Sequence, residues 1–581
     1  MTEISGANRT ATELVERHRE TLERALEAIG ERSYWSAFPE SPSPRAYGED
    51  AAAHGEQAHA EHLGKPFPLD QPGTDGWVGA EHSPYGLELD IQYPHPDLAA
   101  LLPAMTAAIP AWRDAGPWTR AAVCVEILTR LNARSFEIAH AVMHTTGQPF
   151  VMAFQAGGPH AQDRGLEAVA YALAEQTRYP EAASWEKPQG RRPPLRMDKS
   201  FIAVPRGIGL VIGCTTFPTW NSYPGLFASL ATGNAVLVKP HPGAVLPLAI
   251  TVAVAREVLA EAGFEPDLVA LAAETDGERM AADLAVRPEI RIVDFTGSSA
   301  FGDWLEANAR QALVYTEKAG VNGIVIDSTD SYRGLLANLA FTLALYSGQM
   351  CTTSQNLYVP RDGIRTDEGQ KSLQEFGDDL RDALDALLSE DAKAVELLGA
   401  LVNESVIQRL ETARTMGDPV VDTRPVRHPN YPDAIVRTPL VLRVSIEDEK
   451  IYGEECFGPV AFLVPTESTT QSIEIFRRLG LERGALTAGV YSTSAEVLDA
   501  MRNAALETGI ALSENLTGGV YVNQSSAFSD FHGTGANPAA NATYTDGAFV
   551  AGRFRIVQTR RHAPADVDAD DQSAEPAEAS G

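Results

Sequence analysis

The chain of 581 residues carries 78 acidic against 47 basic side chains, a formal net charge of −31, with 44% hydrophobic and 22% charged residues. That composition belongs to a globular protein with a large core and excludes a disordered, collagenous or disulfide-scaffold chain, and the length predicts two or three folded units. Acidity this strong repels phosphate backbones and anionic lipid, so neither nucleic acid nor a membrane surface is an expected partner.

In chain order, Thr10 to Glu31 has helical periodicity, whereas Tyr34 to Pro96 is rich in Pro, Gly, His and aromatics and reads as an irregular, packed extension. From Asp97 to about Arg178 apolar residues recur at helical spacing (Leu101, Met105, Ile109, Trp112), which predicts a helical layer. The Pro-rich, basic stretch between Ala183 and Ser200 cannot continue a helix and predicts an extended excursion, one able to cross to another subunit. GIGLVIG, NAVLVKP, DLVALAA and IRIVDF then alternate with helical stretches such as Val245 to Ala262, the pattern of a parallel α/β unit. A second α/β region runs from Gly323 to about Gly509, with GIVIDS, NLYVP, PLVLRV, AFLVP and TAGVYS as its strands. GGVYVN through Arg561 returns to strand and glycine-rich loop, and the acidic residues from Ala563 to Gly581 are expected to be disordered.

No apolar run reaches the roughly 18 residues that span a bilayer. Met1 to Arg9 lacks a signal-peptide profile, so a cytoplasmic location is expected. Cys124, Cys214, Cys351 and Cys456 are scattered without a CxxC pair, which suggests neither a disulfide framework nor a zinc knuckle, and no metal is expected.

Five segments can carry chemistry. Cys351 in GQMC stands at a helix-to-loop junction among small polar residues, where a thiolate can be reached by substrate, although an isolated cysteine is more often buried and inert. Glu317 in YTEKAG precedes an apolar strand and can activate water as a general base; alone, such a glutamate is more often a surface charge. FTGSSAFG opens a helix directly after a strand, so Ser298 can cap it while Gly297 and Gly302 let a phosphate approach. Lys239 ends a strand where ligands of parallel sheets bind. EECFGPV, with Glu455 and Phe457, says little by itself, and GIGLVIG has the wrong spacing for a dinucleotide fingerprint.

Together, ATGN, VKP, FTGSSAFG, TEKAG, GQMC and EECFGPV resemble the aldehyde dehydrogenase superfamily in order and spacing from about Asp97 to Thr559. YWSAFPE, DQPG, VKPHPGAVLPLAI and HGTGANPAANA resemble, within it, the phenylacetic acid degradation protein PaaN family, which has a long N-terminal extension. The resemblance implies an α/β fold with a Rossmann-like cofactor domain, an α/β catalytic domain and a small β oligomerisation arm. The expected division is an extension over 1–96, the cofactor domain over 97–182 and 206–316, the arm over 183–205, the catalytic domain over 317–515, a returning strand and loop over 516–562, and a tail over 563–581.

The resemblance also implies that Cys351 attacks an aldehyde, that hydride passes to NAD or NADP, and that Glu317 activates the water that hydrolyses the thioester. Glu455 and Phe457 would hold the nicotinamide ribose and ring, Lys239 the adenosine ribose and Ser298 the pyrophosphate, with Gly277, Gly297 and Gly302 as further cofactor contacts. Three positions depart from the family. Thr216 stands where an asparagine usually donates to the oxyanion, with Asn221 five positions on as the other candidate. Pro242 replaces a glutamate that repels a 2′-phosphate, which favours NADP, with His241 and Arg206 as candidate counter-charges. Lys318 follows Glu317 where a small or apolar residue is usual. The implied substrate is a CoA-linked semialdehyde of aromatic catabolism and the implied assembly a homodimer or homotetramer; the alternatives are a CoA-acylating dehydrogenase and a non-catalytic cofactor-binding scaffold.

Overall fold

The computed structural model describes residues 6–275 and 277–563, so the acidic tail beyond 563 lies outside the described residues. Two parallel sheets and one antiparallel arm organise the chain. The first sheet has the order Val269–Leu271, Ala235–Lys239, Ile208–Ile212, Ile290–Thr296, Leu313–Glu317, parallel throughout. Its central strands are buried on both faces, which is why they read as continuous apolar runs. The chain starts in the middle strand, builds outwards through Ala235–Lys239 and Val269–Leu271, then returns to the other side at Ile290–Thr296. That reversal opens a crevice at the strands' carboxyl ends, the place where such sheets bind ligands.

The second sheet has seven strands in the order Asp418–Val421, Leu440–Arg443, Val460–Thr466, Asn356–Pro360, Gly323–Ile326, Thr487–Tyr491, Ala511–Glu514. All pairs are parallel except the one made by the edge strand Asp418–Val421. Glu317 is the last residue of the first sheet and Gly323 the first of the second. Residues 318–322 therefore bridge the carboxyl edge of one sheet and the amino edge of the other.

The stretch expected to be irregular, 34–96, contains the helix Ala51–His62 and the antiparallel pair Thr74–Val78 and Tyr93–Pro96. Sequence missed that helix because AAAHGEQAHAEH has no apolar stripe; it buries His59. The extension is joined to the core at specific points. The Gln71 amide pairs with both backbone groups of Leu271, covering the first sheet's edge strand at 2.8 and 2.9 Å. Glu81 accepts from Leu246 N at 2.8 Å at the start of helix Leu246–Glu261. In the first helix, Gly6–Glu31, Leu22, Ala25 and Ala28 are buried and His18 meets Glu126 at 2.7 Å.

The Pro-rich excursion forms strands Ala182–Gln189 and Arg192–Pro205, and Phe554–His562 pairs along Arg192–Pro205 in an antiparallel three-stranded arm. Asn234 of ATGN is fully buried and uses its side chain structurally, accepting from Arg206 N at 2.8 Å and donating to Arg553 O at 3.1 Å. No helix among the described residues is long and apolar enough to cross a membrane.

Candidate active site

The strand Leu313–Glu317 ends in a buried carboxylate, 2% exposed, at the crevice of the first sheet. The loop 532–541 is laced back onto that strand: Asn541 accepts from Thr316 N with its side chain at 2.8 Å, and Ala539 O accepts from Lys318 N at 2.6 Å. This lacing sets His532 beside the carboxylate, with Nε2 and Glu317 Oε2 3.0 Å apart. Asn221, one turn into helix Pro218–Ala231, donates from Nδ2 to the same oxygen at 3.3 Å. Trp220 meets the imidazole edge-on with ring centroids 4.6 Å apart. Glu317 Oε1 is buried and has no hydrogen-bond partner there.

Cys351 reaches this cluster from the other sheet. The helix Tyr332–Ala344 passes into a single tight turn, Leu345–Gly348, in which Tyr346, Ser347 and Gly348 all have φ between 50° and 66°. Glycine is required at 348, because a Cβ there would stand 2.3 Å from the carbonyl oxygen of Gly458. The turn is held by polar side chains: Tyr346 donates to Thr146 O, Ser347 to Leu398 O at 3.0 Å, and Gln349 to Ala400 O at 3.0 Å. Asn322, in the bridge between the sheets, donates to the carbonyls of Cys351 and Thr353 at 2.8 and 3.0 Å and accepts from Leu486 N at 2.9 Å. One side chain thus ties the cysteine's backbone to the start of the strand Thr487–Tyr491.

The ligand atoms of Glu317, Cys351 and His532 lie within 4.8 Å of one another, the one group among the described residues with converging metal-type donors. Electrostatics favour an acid–base set. Burial would raise the Glu317 pKa, but the charge and hydrogen bond of His532, with Cys351 and Asn221 beside the carboxylate, hold it below the usual carboxylate value. Burial, reinforced by the neighbouring Glu317 and Glu455 carboxylates, pushes the Cys351 thiol well up. The resting pair is therefore an ionised carboxylate beside a neutral thiol, and both shifts oppose proton transfer from sulfur to oxygen in the resting site.

The site opens into a cavity of about 570 Å³ with Cys351, Asn221 and His532 in its wall. Thr216 does not line it; its backbone carbonyl accepts from Gln148 Nε2 at 2.7 Å. Asn221 is thus the oxyanion candidate that the fold brings to Cys351 and Glu317. Lys318 turns away from Glu317 and pairs with Asp303 and Glu306 at 2.8 and 3.2 Å. Its stem fills the space that a Cβ on Gly302 would need, which gives that glycine a packing role.

The candidate cofactor residues ring the same crevice. Ser298 caps helix Ser299–Asn308, accepting from Phe301 N at 3.4 Å. Gly297 packs where a Cβ would strike the Phe295 ring at 2.7 Å. Lys239, at the end of its strand, is buried in an ion pair with Glu274, and Gly277 stands in the following loop with φ 80°. Gln355 anchors the EECFGPV loop, donating to Glu454 O at 3.0 Å and accepting from Cys456 N at 2.5 Å, while Arg409 donates to Phe457 O at 2.8 Å. Burial pushes the Glu455 carboxyl up to about 7.

The family model for the aldehyde dehydrogenase family matches residues 93–535. The chain belongs to that family. A solved structure from Burkholderia multivorans, described as an NAD-dependent aldehyde dehydrogenase, is 58% identical with a TM-score of 0.93, covering 95% of this chain and 99% of that one. A Thermus 1-pyrroline-5-carboxylate dehydrogenase with bound NAD shares the fold at 20% identity, TM-score 0.70, over 91% of this chain and 99% of that one. Among curated aldehyde dehydrogenases, the 2-aminomuconic 6-semialdehyde dehydrogenase of a Pseudomonas species is 27% identical over 50% of this chain and 58% of its own length. The NAD(+) benzaldehyde dehydrogenase of Pseudomonas putida is 26% identical over 55% of this chain and 60% of its own. The chain thus spans about three fifths of the length of these two relatives.

The sequence does not single out His532, although it stands in HGTGANPAANA. It lies 215 residues from its partner, and only the lacing of the 532–541 loop reveals its place.

Proposed function

We propose that the protein oxidises an aldehyde to its carboxylic acid with a nicotinamide dinucleotide, through a covalent intermediate on Cys351 that Glu317 hydrolyses. The observation that carries this reading is the convergence of Glu317, Cys351 and His532, whose ligand atoms lie within 4.8 Å of one another, with His532 and Asn221 on the carboxylate's Oε2.

Glu317 takes the thiol proton as sulfur bonds to the aldehyde carbon. Asn221 Nδ2, already at the carboxylate, becomes a donor for the developing oxyanion once Glu317 is protonated. The residues present fit a dinucleotide: the Lys239–Glu274 pair at the strand ends suits a ribose, the capped helix start at Ser298 a pyrophosphate, and the half-buried Glu455 carboxyl a second ribose. When bound, that group supplies the hydride acceptor that turns the adduct into a thioester. Glu317, its first proton released to bulk water, then takes a proton from water as the water oxygen attacks the thioester carbon, and returns it to the Cys351 sulfur as the carbon–sulfur bond breaks. His532 keeps the carboxylate ionised for that second task.

Pro242 offers nothing against a 2′-phosphate, which by itself favours NADP. Glu274, buried against Lys239, brings a carboxylate to the same strand ends and supports NAD instead, as do the relatives whose names carry NAD. For the substrate, the CoA-linked semialdehyde of the PaaN family is the finer reading. Gln155, Asn523, Gln524 and Ser525 along the cavity support it, since they can pair with the amides of a pantetheine arm.

The test is absorbance at the reduced-nicotinamide band with intact-protein mass spectrometry, for NAD and NADP, with and without CoA. Reduction with an acyl adduct that disappears in Cys351→Ala, independent of CoA, is expected. Reduction that requires CoA would replace water by CoA as acyl acceptor, and absence of both signals with every aldehyde would overturn the reading.

A further inference from the structure

The cavity above Cys351 is not built by the α/β units alone. Tyr34, Trp35, Ser36 and Glu40 line it, although they belong to the extension and lie more than 300 positions before the cysteine. The segment is clasped to helix Pro159–Thr177 at two places. At its base, Ser36 Oγ donates to Asp163 Oδ2 at 2.6 Å and Ala37 N to Oδ1 at 3.0 Å. At its end, Glu40 meets His160 Nε2 at 2.9 Å. Trp35 is braced edge-on by Phe528, with centroids 4.7 Å apart.

The charges of this wall have one sign. Its charged carboxylates are Glu40 and Glu396, with Asp163 raised to about 7 by burial; among the described residues no lysine or arginine lines the cavity. The two imidazoles there, His160 and His532, are each already paired with a carboxylate. A cleft lined by one sign of charge focuses that potential on whatever enters. Aromatic rings (Trp35, Phe217, Trp220, Phe341) supply apolar area, and neutral amides and hydroxyls supply hydrogen bonds.

We propose that the segment 34–40 is a specificity wall for the aldehyde: Trp35 with the facing rings grips an apolar or unsaturated stretch next to the carbonyl. Glu40 and Glu396 select a neutral, hydrogen-bonding arm over one that ends in an anion within the cavity. This rests on the aldehyde-oxidising reading of the site.

The probes are 4-formyl-N-methylbenzamide and 4-formylbenzoate, alike in shape and different in charge, with propanal as a short reference. For the intact protein, kcat/KM for the amide should exceed that for the carboxylate at least about tenfold. Glu40→Gln combined with Glu396→Gln should narrow that gap. Trp35→Ala should lower kcat/KM for the amide at least about tenfold more than for propanal, chiefly through KM. Trp35→Phe should restore most of it, which separates a lost contact from a damaged fold. The binding of both aromatic probes to Cys351→Ala, followed by calorimetry, reads the wall without turnover. Discrimination in binding with no oxidation of any aldehyde would sink the catalytic reading and leave the wall. Oxidation without discrimination, unaltered by the substitutions, would overturn the wall and leave the catalysis.

Discussion

Under the proposed reaction Glu317 carries two demands that pull apart: it is buried, which disfavours its charge, yet a base must be ionised. His532 reconciles them by charge and hydrogen bond. Glu317→Gln should therefore keep a burst of reduced cofactor and lose steady-state turnover by about 10²–10⁴-fold, the range for removing a general base; an undiminished steady state would remove Glu317 from hydrolysis. His532→Phe should let burial raise the Glu317 pKa, so that a greater share is protonated at a given pH and the acid limb of kcat moves to higher pH. His532→Gln, which keeps a donor, should restore part of the shift, whereas an unmoved limb would show that His532 does not tune the base. Cys351 and Glu317 stood out in the sequence only because the motifs around them occur together in the order of the aldehyde dehydrogenase family; alone, each reads more often as an inert thiol or a surface charge. The pairing with His532 was not legible there, because it depends on loop 532–541 returning to strand Leu313–Glu317. The placement of Thr216 and Asn221 also needed three dimensions: helix Pro218–Ala231 brings Asn221 to Glu317 and into the cavity wall, while Thr216 does not line the cavity.

At the scale of elements, the buried strands were readable as apolar runs, but the edge strands Asp418–Val421 and Ala511–Glu514 were not. Edges bury fewer side chains and tolerate residues such as Pro419 that argue against a strand. The turn that presents Cys351 tolerates no change at its glycine. Gly348→Ala would force a Cβ against a backbone carbonyl at positive φ, so it should destabilise the fold by about 1–3 kcal/mol and abolish the Cys351 adduct. Thermal melts and adduct mass spectra would measure both, and a fully active variant would contradict the geometry.

The helix Ala51–His62 makes a different prediction. His59 stacks on His140 and His144, and burial holds His59 down to about 3 and His144 to about 4. Their folded pKa values lie below the unfolded one, so their stability contribution is complete above about pH 6.5 and falls as the pH drops towards 4. The loss is on the order of 2 kcal/mol per ring by pH 5. His62 and Glu137, paired at 2.9 Å, face the same stack. Asp163 and Glu455, each raised to about 7 by burial, act with the opposite sign and gain stability as the pH falls. The informative quantity is therefore a difference. His59→Gln should lose much of its stability deficit against wild type between pH 8 and pH 5, and wild-type hydrogen-exchange protection factors in 51–62 should fall at pH 5. A deficit independent of pH would exclude buried neutral histidines as the cause.

For the whole molecule, the arm poses an unsolved burial problem within one chain. Its strands run 8, 14 and 9 residues, and Phe554–His562 is exposed at every residue after the first. Ile202 and Val557 stand directly opposite each other across two of these strands, 43% and 47% exposed, and Ile556 and Leu195 are exposed as well, at 37% and 42%. A sheet with apolar residues and open edges invites pairing unless something covers it. The expected cover is a second copy of the chain. Ile202 and Val557 form one cross-strand pair, so changing both to lysine places like charges opposite each other on one face while leaving the two catalytic sheets untouched. Light scattering coupled to size exclusion should give an assembly of two or four chains for wild type and a smaller species for the double variant. A wild-type monomer, or a variant that assembles unchanged, would assign these strands to something other than self-association.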